Sequence, residues 1–175
     1  SPANARSMAF AAASNKVVGR LTYYLKRATD EDIVSFGAVM SESLGILSER
    51  DARFCYNYLY NPGALAGFQV KDFREKFGGN QFDRQQSIAA TLVERAFDEP
   101  PPYDVEMGAA GVRRAAAVLQ EMLGADGMPM ISGGRPSNDD SEAKLACDAT
   151  AAMYKSMAAE ENAATILRHL FTLSG

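Results

Sequence analysis

Phe54-Cys55-Tyr56-Asn57-Tyr58-Leu59-Tyr60 is the stretch on which the fold class turns. Aromatic residues alternate along it, which is the period of a strand. Two observations make it a helix instead. Ser48-Glu49-Arg50-Asp51 stands just before it in capping order, and no second strand-like run exists elsewhere to pair with it. A lone strand leaves its backbone N–H and C=O groups without partners. The segment is therefore expected to be a short helix that opens at Ser48 and is broken by Pro62-Gly63.

Outward from it, apolar residues recur at three- and four-residue steps. Upstream, Thr29 with Asp32 caps a helix striped by Ile33, Phe36, Met40, Leu44 and Leu47. Gly37 lies on that face and would let another backbone come close. Before it, Phe10, Ala13, Val17, Leu21, Tyr24 and Ala28 predict an amphipathic helix, with residues 1–8 frayed.

Downstream, Phe68, Phe73 and Phe77 mark a short helix closed by Gly78-Gly79. The next carries Ile88, Ala89, Leu92, Val93, Ala96 and Phe97, and Pro100-Pro101-Pro102 stops it. A helix with Val105, Ala109, Val112, Ala116, Leu119 and Leu123 then ends at Gly124.

Residues 124–138 lack periodicity and predict one long loop. Met128, Met130 and Ile131 should fold it back over the bundle or meet a partner. Between Ala143 and Ala158 two faces are apolar, one through Cys147 and one through Leu145, Ala149, Met153 and Met157. That helix is expected at the centre. A last helix turns Ala163, Ile166, Leu167, Leu170 and Phe171 inward. The expectation is all-α: one domain over residues 1–175, a compact bundle of about seven to eight helices.

The 175 residues are enough to bury roughly 70% of the unfolded surface without a staple. A net charge of −4 speaks against a general nucleic-acid binder. No apolar run approaches the roughly 20 residues that a membrane span requires. The chain opens at Ser1-Pro2 without an initiator methionine. That fits removal of an upstream signal peptide or anchor, and equally a trimmed cytosolic protein. Abundant Ala and Arg fits a GC-rich bacterial source.

Cys55 and Cys147 are the two thiols. They have no CxxC spacing, and His169 alone cannot complete a zinc site with them, so no metal and no cofactor is expected. Buried core thiols are favoured by the burial habit of free cysteine. A disulfide is the alternative, and it is expected if the domain is extracytoplasmic. A reactive thiol is disfavoured by Asp148 next to Cys147.

His169, in the last turns of a helix, is explained by the helix dipole. The acidic pairs fall at helix ends and read as caps. Gly78-Gly79-Asn80 reads as a helix end before it reads as an anion cradle.

Tyr56, Tyr58 and Tyr60 cannot all be buried on one helix face. With Met128 and Met130 they form the expected partner surface.

Three functions follow. The first is a non-enzymatic module that binds a protein partner or self-associates, as the soluble part of a longer bacterial envelope protein. The compartment leans to the periplasm or envelope over the cytoplasm. The second is a small-molecule or lipid-binding bundle lined by Phe36, Met40, Met122, Met153 and Met157. The third is an enzyme whose site would join Cys147, Asp148 and His169.

Overall fold

The computed structural model describes residues 21–133, 136–137 and 139–174. The expected N-terminal helix lies mostly outside them, and so does the expected fraying of residues 1–8. Residues 21–25 are helical, and Leu25 and Ala28 are buried.

Helix α1 (Asp30–Arg50) opens at Thr29, whose hydroxyl accepts from the Asp32 N–H at 3.1 Å. Asp30, Glu31 and Asp32 then sit at the positive end of the helix dipole. The helix does not stop at Ser48. That residue stays helical and buried, and the cap falls on Asp51, whose carboxylate accepts from the Phe54 N–H at 2.9 Å. A carboxylate caps at least as well as a hydroxyl, and Asp51 is also held by Lys76 at 2.6 Å. Helix α2 (Ala52–Tyr60) follows, so the aromatic run is helical. Among the described residues there is no strand.

A 3-10 turn (Pro62–Leu65) leads to α3 (Val70–Phe77), α4 (Gly79–Arg95), α5 (Val105–Ile131), α6 (Asp140–Ala158) and α7 (Ala163–Leu173). The result is an all-α bundle. Helix α6 packs on α1, α2, α5 and α7 and is its centre, while α3 and α4 flank α1. Cys147, Ala149 and Met157 are fully buried, as a central helix requires. Leu145 is 37% exposed and Met153 only half-buried, so the second apolar face is covered unevenly.

Two expectations need correction in α5. Of the expected stripe, Leu123 is buried and Ala109, Val112, Ala116 and Leu119 are half-buried, but Val105 is 56% exposed, and where α5 meets α7 the fully covered residues are Gly108, Gly111 and Ala115. The small residues let α7 come in: a Cβ at Gly108 would meet His169 Cβ at 2.7 Å and the Thr165 carbonyl at 3.2 Å.

The long loop is also shorter than expected. The chain breaks at Gly124 (φ 65°, ψ 177°), a backbone that glycine adopts without strain, and then resumes as helix to Ile131. Pro129 removes one ladder bond from this last stretch, and buried Met130 holds the segment down.

Helix α7 buries Ala163, Ile166, Leu167 and Phe171 as its spacing implies. It also buries Arg168, whose guanidinium donates to the Ala28 carbonyl at 2.7 Å and to Asp30 at 3.0 Å.

Candidate functional site

Cys55 on α2 and Cys147 on α6 are bonded in the structure, both fully buried, with Cα atoms 6.2 Å apart. That separation lies within the range a disulfide takes. The bond joins the central helix to the aromatic one across 92 residues of sequence.

One turn away a polar hub ties α6 to the end of α1. The Ser48 hydroxyl donates to Asp148 at 2.5 Å, and Lys144 reaches Asp148 at 3.2 Å and Glu49 at 2.5 Å. These two carboxylates, Glu49 first, hold the Lys144 ammonium above its ordinary pKa. The hub joins two helices and leaves its serine buried.

The tyrosines of α2 are covered to different degrees. Tyr56 is buried; its hydroxyl donates to the Met130 carbonyl at 2.9 Å and accepts from the Ser137 N–H at 3.2 Å. The Tyr60 hydroxyl lies 2.5 Å from that of Thr150. The Tyr58 ring packs against Phe54, Phe73 and Phe77. Met130 is buried and Met128 half-buried against the core.

Of the expected partner surface, Tyr56 and Met130 are buried, while Tyr58, Tyr60 and Met128 are half-buried. A short helix with neighbours on several sides buries residues all round, and each hydroxyl finds a partner inside. Burial pushes the Tyr58 and Tyr60 hydroxyls above their ordinary pKa. It pushes Tyr154 on α6 to about 12, with the charges of Tyr60 and Tyr58 adding to the effect.

Cys147, Asp148 and His169 are not brought together. Cys147 meets Cys55, Asp148 meets Ser48 and Lys144, and His169 Nδ1 lies 3.2 Å from the Tyr103 hydroxyl. Among the described residues no group of three His, Cys, Asp or Glu side chains is placed to hold a metal.

Gly78 ends α3 at φ 83°, and Arg50 donates to the Glu75 and Lys76 carbonyls there, so a helix C-terminus is what the glycines serve. Arg74 pairs with Asp83 and Lys76 with Asp51, which leaves neither facing an anion.

The residues expected to line a ligand pocket are packed or on the surface. Phe36 stacks edge-on with Phe171, Met157 is fully buried, and Met122 is 38% exposed. An open depression of about 560 Å³ on α1 is lined instead by Glu42, Gly45, Ile46, Glu49 and Arg50. Its charged rim is engaged by neighbouring helices: Arg84 pairs with Glu42 and Lys144 with Glu49.

What the structure leaves uncovered is the connection from α4 to α5. Among the described residues, Val93, Phe97, Val105 and Met107 are four of the nine exposed large apolar residues, all within fifteen positions, with Pro100-Pro101-Pro102 between them. The prolines signal a helix stop in the sequence. That they also stand on the surface depends on how α4 and α5 pack, which spacing does not encode. No protein-family model, curated protein or solved structure matches this chain. No helix among the described residues is long and apolar enough to cross a membrane.

Proposed function

We propose that this chain is a non-enzymatic interaction module that binds a protein partner or a second copy of itself through the α4–α5 connection. The observation that carries this is the concentration of exposed apolar side chains from Val93 to Met107. Exposed apolar residues scattered singly need no explanation, but four so close in sequence beside a proline run favour an interface. Cys55 and Cys147, bonded in the bundle centre, support work in an oxidising compartment such as a bacterial envelope.

The test is photo-cross-linking in the native host from positions 97 and 105, with position 121 as control. Glu121 is exposed on the same helix as Val105, sixteen residues or roughly 24 Å further along. Adducts that form at 97 and 105 and not at 121 support the module. Equal adducts at all three positions, or none at 97 and 105, overturn it.

A further inference from the structure

Between α4 and α5 the chain reads Asp98-Glu99-Pro100-Pro101-Pro102-Tyr103-Asp104-Val105-Glu106. Each residue that precedes a proline is driven out of the helical region into extended or polyproline II backbone, and each proline fixes φ near −65°. Glu99, Pro100 and Pro101 all precede prolines. The chain bends at Asp98 and Glu99, and Pro100, Pro101 and Pro102 after the bend are biased to polyproline II by their own covalent chemistry. The three prolines also have no N–H to give to a helix or sheet, and this stretch carries no regular secondary structure in the fold.

Both ends of the stretch are pinned. On one side the Phe97 N–H donates to the Arg27 carbonyl at 2.8 Å, and Arg27 Nε donates to the Asp98 carbonyl at 3.2 Å. On the other, the Tyr103 ring packs edge-on against His169, their polar atoms 3.2 Å apart, and the Asp104 carboxylate caps α5 by accepting from the Met107 N–H. Pro100 and Pro102 stand exposed between these anchors, and Pro101 is half-buried. The strap is held ready-made, so a partner that reads it has little ordering entropy to overcome.

We propose that residues 100–102 are a polyproline II ligand, docked by a protein partner through an aromatic-lined groove with a basic rim. The groove follows from how polyproline II is read: its ridges seat between aromatic rings, and affinity comes from the pre-set conformation. The rim follows from charge. Asp98, Glu99, Asp104 and Glu106 are exposed, and no Lys or Arg occurs from 98 to 106. The proposal rests on the interaction-module reading above and narrows it to one partner chemistry.

The intact, oxidised chain is titrated by calorimetry with purified SH3, WW and EVH1 domains, which read polyproline II through such grooves. Saturable binding by one of the three is expected, weakened on the order of tenfold in Pro100→Ala/Pro102→Ala, as for the loss of central contact residues. Asp98→Lys/Glu99→Lys leaves the prolines untouched, and it should weaken the same binding and flatten its salt dependence. Binding by none of the domains, or binding that the proline variant keeps, overturns the proposal. Cross-linking from positions 97 and 105 separates this failure from that of the module. Adducts that persist in the proline variant leave the module standing and remove the strap. Absence of adducts in the parent chain removes both.

Discussion

Gly111 on α5 and Ile166 on α7 fit so closely that a Cβ at position 111 would stand inside the Ile166 side chain, three of whose carbons crowd that point. Ile166 is itself fully buried and has no free side to move toward. Gly111→Ala gains about 1 kcal/mol of helix propensity and loses about 1 to 3 kcal/mol to overpacking. A net loss on the order of 1 kcal/mol is expected in urea denaturation. Gly45 in α1 is the opposite case, with nothing within 4 Å of the added carbon. Gly45→Ala should stabilise by about 0.5 to 1 kcal/mol. Equal effects at the two positions would show that α5 and α7 are not in close contact.

Tyr56 offers a second test. Phenylalanine in its place keeps the ring and removes the one hydroxyl that serves both the Met130 carbonyl and the Ser137 N–H. Tyr56→Phe should cost about 1 to 3 kcal/mol, the cost of stranding buried polar groups. It should also speed amide exchange at Ser137. Unchanged exchange there would mean that the hydroxyl does not clamp the end of α5 to the loop.

The helices that have a deep neighbour on one side were legible in the sequence. Ile33, Leu44 and Leu47 on α1, and Ile166, Leu167 and Phe171 on α7, fall where three- and four-residue spacing puts them. Spacing fails where contact is made by what is absent. Where α5 meets α7 the buried residues are Gly108, Gly111 and Ala115, which a search for large apolar residues passes over. It fails again where polar tips turn inward. Tyr56 and Tyr60 read as surface residues, yet the Met130 carbonyl and the Thr150 hydroxyl pair with them inside the fold. The burial habit of cysteine favoured free core thiols at Cys55 and Cys147, but the two are bonded, because their proximity is a tertiary fact that spacing in sequence does not encode.

Acid stability should depend on Asp51. Burial raises the pKa of its carboxyl, but hydrogen bonds from Lys76 and the Phe54 N–H, together with the Lys76 charge, outweigh this and hold it below the ordinary carboxylate range. A depressed folded pKa contributes stability that is present above the unfolded value and is lost as pH falls through the folded one. The stability gap between the parent and Asp51→Asn should be full at pH 7 and should narrow below about pH 4. A gap unchanged down to pH 2 would contradict the role of the charge.

Alkali should act on the buried tyrosines. Tyr154 is raised by burial from 10.0 to about 12, and Tyr58 and Tyr60 shift in the same direction. A raised folded pKa means stability that is complete below the unfolded value and is lost as pH rises toward the folded one. The window therefore runs from about pH 10 to 12. Absorbance at 295 nm should show these phenols ionising after exposed Tyr23 and together with unfolding. Tyr154→Phe should move the alkaline midpoint upward. Ionisation of all tyrosines near pH 10 without unfolding would refute the buried cluster.

The disulfide has the largest expected effect. In the chain-entropy picture, closing a loop across 92 residues of sequence restricts the unfolded state and stabilises by about 4 kcal/mol, often less in practice. Both sulfurs are fully buried, so reductant alone should act slowly on the native protein and quickly once it is partly unfolded. Cys55→Ala/Cys147→Ala should melt well below the oxidised parent and match the reduced parent. Thiol titration of protein unfolded without reductant is the direct check. No free thiol is expected, and two thiols per chain would end both the clamp and the support it lends to an oxidising compartment.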